Sequence, residues 1–167
     1  MSYKKIEIMD TTLRDGEQTS GISFSPKEKL SIAKLLLEEL NVNRIEIASA
    51  KVSEGEMKAV KLITDWAREL GLLEKIEILS FVDGGSSIKW MEKAGAKTQN
   101  LLTKGSINHL KNQIKKTPSQ HFQDISNVIQ YAEDNGIKNN VYLEDWSNGM
   151  KNSKSYVMDM VQFLSEK

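Results

Sequence analysis

The sequence predicts an α/β fold built on a parallel sheet, and three observations carry that prediction. Short β-type runs alternate with helical runs five times along 167 residues. Several helical runs open on recognisable caps. No linker, low-complexity tract or block of like charge interrupts the series. A strand that returns through a right-handed helical crossover lies parallel to the strand before it, so five βα units in series imply a parallel sheet.

The elements follow in order. Residues 6–9 form the first β-type run, and a polar loop extends from Asp10 to Ser25. Pro26 opens a helix that reaches Leu40, with Ser25 as N-cap and Glu28 completing a capping box. Residues 44–48 are the second strand, and Ser53 with Glu56 caps a helix that ends near Gly71. Residues 75–82 are the third strand, followed by a short helix from about residue 87 to 93 that stops at Gly95. Residues 100–103 are the fourth strand, and residues 104–116 form a helical or irregular excursion. Thr117, Pro118 and Gln120 begin a further helix that ends at Gly136. Residues 140–145 are the fifth strand; a loop over 146–149 leads to a last helix over about 153–165. Periodicity does not choose between a doubly wound sheet and part of a barrel. The count does bear on it: a closed barrel needs eight units and roughly 250 residues.

Composition removes several function classes. Lys+Arg and Asp+Glu are both 23, and zero net charge gives no pull toward nucleic acid or an anionic membrane. The absence of cysteine excludes disulfides, thiolate metal sites and cysteine nucleophiles. No apolar run reaches membrane-spanning length. Residues 1–5 lead straight into the first strand, so neither a signal peptide nor a membrane anchor is expected, and the default location is cytoplasmic.

The stretch Asp10-Thr-Thr-Leu-Arg-Asp-Gly-Glu-Gln18 lies at the C-terminal end of the first strand, where parallel α/β folds place their chemistry. Alternation puts Ile6, Ile8, Asp10, Thr12 and Arg14 on one face if the extended geometry persists. Asp15 offers hard oxygen ligands for Mg²⁺ or Mn²⁺, and Arg14 a fork of donors for a carboxylate or a developing oxyanion. A capped turn with a surface ion pair has the same spacing. A haloacid-dehalogenase-like phosphatase needs a second aspartate two residues after the first, and Thr12 stands there instead.

This stretch resembles the signature of the isopropylmalate, homocitrate and citramalate synthases, within the metal-dependent superfamily that includes hydroxymethylglutaryl-CoA lyase. The likeness continues through Arg44-Ile-Glu-Ile-Ala-Ser-Ala50, Glu77-Ile-Leu-Ser-Phe-Val-Asp83, Asn100-Leu-Leu-Thr-Lys-Gly105 and Val141-Tyr-Leu-Glu-Asp-Trp-Ser-Asn-Gly149. It is greatest toward the citramalate synthases. It implies a partial (β/α)₈ TIM barrel: residues 1–167 are its N-terminal portion, an open parallel sheet of about five units. The rest of the barrel and any regulatory domain then lie outside the chain.

The resemblance also assigns roles. Asp15 becomes a metal ligand (Mn²⁺ or Mg²⁺, with Zn²⁺ an alternative), and Arg14 polarises the 2-keto acid. A His-x-His motif completes the family's metal sphere. His109 and His121 do not form one and read as helix-surface or packing residues, so the metal site is expected to be incomplete here. Glu46 sits between Ile45 and Ile47, facing the barrel interior, where it needs a partner such as Arg14. Glu144 becomes the general base that takes the methyl proton of acetyl-CoA, which suits a buried glutamate with no close positive partner. Tyr142, Leu79 and Leu102 line the keto-acid pocket, with the two leucines at corresponding depths. From the sequence alone plain core packing is the favoured reading of Leu79 and Leu102, and barrel-interior packing is the alternative for Tyr142 and Glu144.

The implied reaction condenses acetyl-CoA with a 2-keto acid, pyruvate giving citramalate in branched-chain amino-acid biosynthesis, and three bulky wall residues favour the smaller acid. The isolated chain is expected to be inactive. The alternatives are a 2-isopropylmalate synthase acting on 2-ketoisovalerate, a lyase or aldolase of the same superfamily, and a non-catalytic half-barrel that pairs with a partner. A homo-oligomer, a dimer in the full-length family, is the expected assembly.

Overall fold

The computed structural model describes residues 6–167. The reading of residues 1–5 as a direct lead into the first strand lies outside the described residues. The strands are β1 (Met9–Asp10), β2 (Arg44–Ser49), β3 (Ile76–Phe81), β4 (Thr98–Lys104) and β5 (Lys138–Glu144). All four pairings are parallel, and the spatial order is the sequence order. A doubly wound sheet reverses its strand order at a switch point; this one never does. The sheet also curls: the Tyr142 hydroxyl on β5 lies 3.6 Å from the Met9 sulfur on β1. The architecture is therefore part of a barrel, as expected.

Among the described residues seven α-helices connect or follow the strands: α1 (Pro26–Lys34), α2 (Glu54–Glu69), α3 (Ser86–Ala94), α4 (Ile107–Asn112), α5 (Pro118–Asp134), α6 (Trp146–Asn152) and α7 (Lys154–Ser165). The capping boxes at Ser25/Glu28 and Thr117/Gln120 form as predicted. The one at Ser53 is half formed. Ser53 Oγ accepts from the Glu56 N–H at 3.1 Å, while the Glu56 carboxylate turns to Lys29 instead. A π-helical turn, Leu35–Glu39, extends α1 to the expected end near Leu40.

Strand alternation divides the side chains between two environments. Ile45, Ile47, Ile76, Ile78 and Leu101 point outward into the core, against Val60, Ile63, Ile88, Met91 and Ile125 of the helices. Each such aliphatic side chain contributes about 1.5–3 kcal/mol when fully buried. The concave inner face is polar instead. Glu46, Glu77 and Asn100 are all at most 1% exposed there. Arg44 Nη1 donates to Glu77 Oε1 at 2.8 Å.

Two local expectations fail. β1 is only two residues long, and its register sets Met9 beside Arg44 and Asp10 beside Ile45. Met9 thus shares the inner face while Asp10 turns outward, the reverse of the alternation expected through Arg14. The extended chain stops at Asp10, whose carboxylate accepts from the Thr12 N–H and hydroxyl at 2.9 and 3.1 Å. A tight turn follows, in which the N–H groups of Arg14, Asp15 and Gly16 converge on the Thr11 carbonyl. The 146–149 loop is also wrong: those residues open α6. Asp145 before them takes the left-handed conformation at φ 63°, fixed by donors from Ser106 at 2.7 Å and Asn148 at 2.6 Å on its carboxylate.

Candidate active site

The turn after β1 aims Arg14 across the top of the inner face. Its Nε donates to Glu46 Oε2, and Nη1 donates to Asp15 Oδ1 at 2.9 Å. Glu46 is fully buried, so this guanidinium is the partner its charge requires. Glu46 Oε1 accepts from Asn100 Nδ2 at 2.7 Å, and Asn100 Oδ1 accepts from Asn140 Nδ2 at 3.0 Å. A single polar rail thus crosses the inner face from Arg14 to β5. A β-bulge between Glu46 and Ala48 re-aims β2 beside it. Asn100 and Asn140 escaped sequence reasoning as site residues. An amide at an inward position of a buried strand was the signal available.

The Arg14 turn is itself clamped. Glu17 accepts from the Phe24 N–H at 2.8 Å, and its other oxygen sits 2.6 Å from the Lys29 ammonium on α1. Lys29 is 1% exposed and also pairs with Glu56 of α2 at 2.6 Å. Nothing in the sequence distinguished Lys29 from an ordinary surface lysine of an amphipathic helix.

Tyr142 and Leu102 are register partners on β5 and β4, and Leu102 also pairs with Phe81. Leu79 pairs instead with Asn100, one inward-facing step earlier, so the two leucines are not at matching depths in the register. The wall is staggered, and Phe81 belongs to it. Tyr142 is half-buried; burial first, then the charges of Glu46 and Glu77, push its hydroxyl above the ordinary phenol range, so it stays protonated.

Glu144 departs from expectation. It is a third exposed rather than buried, and it receives the ammonium of its register partner Lys104. The expected glutamate without a close cation is therefore incorrect: β4 runs one residue past the predicted end at 103 and carries Lys104 to the same level. His109 lies alongside, its Nδ1 3.9 Å from Glu144 and its Nε2 3.6 Å from Asp145. Asp145 itself is held below the usual carboxylate range by its bonds from Ser106 and Asn148. His121 is a buried packing residue whose Nε2 accepts from the Lys104 N–H at 3.1 Å. Burial first, then the charges of Lys116 and Lys104, bring its imidazole down to about 4.

The metal expected at Asp15 lacks a ligand set here. Asp15 is 63% exposed and tied to Arg14. Among the described residues no three His, Cys, Asp or Glu side chains converge to hold an ion. The residues present do not fit the group by themselves. Clefts of about 340 Å³ and 410 Å³ open beside this end of the strands, the first lined by Arg14, Glu17 and Ser49, the second by Ser106, Lys111 and Asp145. A larger hollow, about 840 Å³, lies at the opposite strand ends around Glu7, Arg44, Glu77 and Lys138. Conserved architecture in barrels places chemistry at the C-terminal strand ends, so its size does not make it the reaction site. No helix of the described residues is long and apolar enough to cross a membrane.

Comparisons with known proteins bear on the same elements. A family model described as HMGL-like matches residues 5–165. The (R)-citramalate synthase of Methanocaldococcus jannaschii is 38% identical over 141 residues, 84% of this chain and 27% of its own length. A probable 2-isopropylmalate synthase of Ignicoccus hospitalis is 35% identical over 159 residues, covering 95% of this chain and 38% of its own. A homocitrate synthase of Methanopyrus kandleri is 36% identical over 133 residues, 80% of this chain and 32% of its own. The chain thus spans well under half the length of these relatives. Among solved structures, the HMG-CoA lyase of Bacillus subtilis superposes with a TM-score of 0.57 at 17% identity, over 84% of this chain and 47% of that one, which shows a shared fold.

Proposed function

The chain belongs to the HMGL-like family, and from that premise we propose that the protein carrying it condenses acetyl-CoA with a 2-keto acid, pyruvate first among them. The observation that carries the reading is the convergence on one concave face of Arg14, Glu46, Tyr142, Leu79, Leu102 and Glu144. The names of the relatives support the reaction class. They name three different synthases, and pyruvate rests on the pocket alone.

In this reading Arg14 binds the keto acid. Glu46 takes its Nε and Asp15 its Nη1, which leaves Nη2 without a protein partner among the described residues and free to meet an oxyanion. Leu79, Phe81, Leu102 and Tyr142 close around the acid's side chain. Pyruvate presents a methyl there and 2-ketoisovalerate an isopropyl, and overfilling a rigid pocket costs about 1–3 kcal/mol. Glu144 removes a proton from the acetyl methyl. The carbanion attacks the keto carbon, and thioester hydrolysis releases CoA; with pyruvate the product is citramalate. A divalent ion would find one ligand in Asp15. No step above passes through it.

The test is thiol release from acetyl-CoA by the whole protein, with pyruvate and with 2-ketoisovalerate. Release faster with pyruvate, and reduced in kcat more than it is raised in KM by Glu144→Gln, supports the assignment. Release faster with the branched acid would make the protein a 2-isopropylmalate synthase and retire the small pocket. Carbon–carbon cleavage of an acyl-CoA without any condensation would place it with the lyases instead.

A further inference from the structure

We propose that Lys104 is a further catalytic residue, whose ammonium transfers from the Glu144 carboxylate to the enolate oxygen of acetyl-CoA as Glu144 accepts the methyl proton. This rests on the condensing reading above. Three independent features fix the residue.

First, Lys104 ends β4 directly opposite Glu144 and two positions beyond Leu102, so alternation puts it on the inner face at the mouth of the keto-acid pocket. Its side chain is 17% exposed and pairs with Glu144. Second, its peptide is gripped from both sides through the outer layer. The N–H is received by His121 of α5 at 3.1 Å, and the carbonyl accepts from the Tyr156 hydroxyl of α7 at 2.7 Å. A surface ion pair needs no such grip. Third, the chain beyond it cannot back away. The Gly105 N–H donates to the Glu144 carbonyl at 2.7 Å, and a Cβ at Gly105 would stand 2.8 Å from that oxygen. Gly149 presses on Gly105 so closely that a Cβ there would collide with its carbonyl. Gly105 thus lets the end of β4 lie against β5 just where Lys104 and Glu144 meet, and Gly149 lets α6 close over it from the other side.

The chemistry needs such a cation. A methyl C–H bond breaks, and its electron pair forms the carbon–carbon double bond of the enolate. The carbonyl π pair moves onto the thioester oxygen, and an O–H bond forms on Glu144. One negative charge leaves the carboxylate and appears on the enolate oxygen, while Lys104 keeps its three protons throughout. A cation already seated beside the base follows that charge without waiting for solvent to reorganise. Among the described residues His109 lies beside Glu144 at 3.9 Å, with Asp145 on its far side at 3.6 Å.

The experiment uses the whole protein and reads two quantities: thiol release, and uptake of solvent deuterium into the acetyl-CoA methyl group. Lys104→Met and Lys104→Gln should each lower kcat and deuterium uptake about a hundredfold, the scale of losing one oxyanion donor. KM for both substrates should stay within about threefold. Lys104→Arg should recover at least about a tenth of the rate, and Lys104→Met combined with Glu144→Gln should be no slower than Glu144→Gln alone, since the two act as one unit. Substitutions that leave kcat within about threefold overturn the inference. So does a loss confined to KM or to the melting temperature with no rescue by arginine, because that marks a structural pair. A wild-type protein that releases no CoA with any 2-keto acid overturns the functional reading, and this inference with it.

Discussion

Replacing Lys29 by methionine should lower the melting temperature by about 6–12 °C. The ammonium is 1% exposed and lies 2.6 Å from both Glu17 and Glu56, whose side chains are 20% and 15% exposed. Methionine fills most of the volume, so the loss is electrostatic rather than a cavity. Breaking a buried ion pair by removing one partner costs about 3–5 kcal/mol. Both carboxylates retain some water, which places the cost near the lower figure of about 3 kcal/mol. For a chain of this size each kcal/mol moves the midpoint by about 2–4 °C. A thermal melt followed by far-ultraviolet circular dichroism at neutral pH reads the shift directly. Amide exchange across residues 12–24 should rise in parallel, because Glu17 ties the Arg14 turn to α1. A variant that melts within about 2 °C of the parent would show that Glu17 and Glu56 are adequately solvated without the lysine, and that the clip contributes little.

Other outcomes follow from the same contacts. The buried His121 is held neutral in the fold, with its value depressed from 6.5 to about 4; stability should be full above about pH 6.5 and fall by up to about 3 kcal/mol as pH drops toward 4. Urea melts at several pH values check this, and His121→Asn should flatten the slope. In the whole protein Leu79→Ala should narrow the preference for pyruvate over 2-ketoisovalerate by about tenfold in kcat/KM, and an unchanged ratio would remove Leu79 from the pocket wall. Arg14→Lys should lose most of the activity although the charge is kept, because a point ammonium cannot hold Glu46 and Asp15 and still meet the keto acid. Ile6 and Ile8 are 85% and 62% exposed beside the β1 edge; light scattering should show self-association of the chain that Ile6→Ser with Ile8→Ser reduces.

The sequence made the βα alternation and most boundaries legible because caps and periodicity are local signals. The Pro26 and Pro118 starts and the Gly95 stop are written within one helical turn. Strand β1 misled for a physical reason. Its alternation was extrapolated through a segment where Asp10 bonds to Thr12 and ends the strand, and no pattern of period two encodes that bond. The site divided in the same way. Arg14 and Glu46 were legible because a buried charge on a strand demands a partner. Lys104 was not, since a lysine at a strand end is ordinarily a solvated terminus. Only the register of β4 against β5, closed at Gly105, reveals its neighbour. Lys29 was hidden by ambiguity of another kind: an amphipathic helix with a lysine on the core side reads as noise until the carboxylates of two other segments are folded onto it.

The rail from Asn140 through Asn100 to Glu46 has a direction. Asn140 donates to the Asn100 oxygen and Asn100 donates to Glu46, so the two amide dipoles point the same way. Bonds in such a series polarise one another. The carboxylate that holds Arg14 is therefore tied into an amide series that begins on β5, two strands beyond Glu46's own neighbour in the sheet. Exchanging the amide at position 140 for a hydroxyl or an aliphatic group would alter the far end of that series without touching Arg14 or Glu46. The citramalate, 2-isopropylmalate and homocitrate synthases that this chain resembles are the place to look for such remote adjustments.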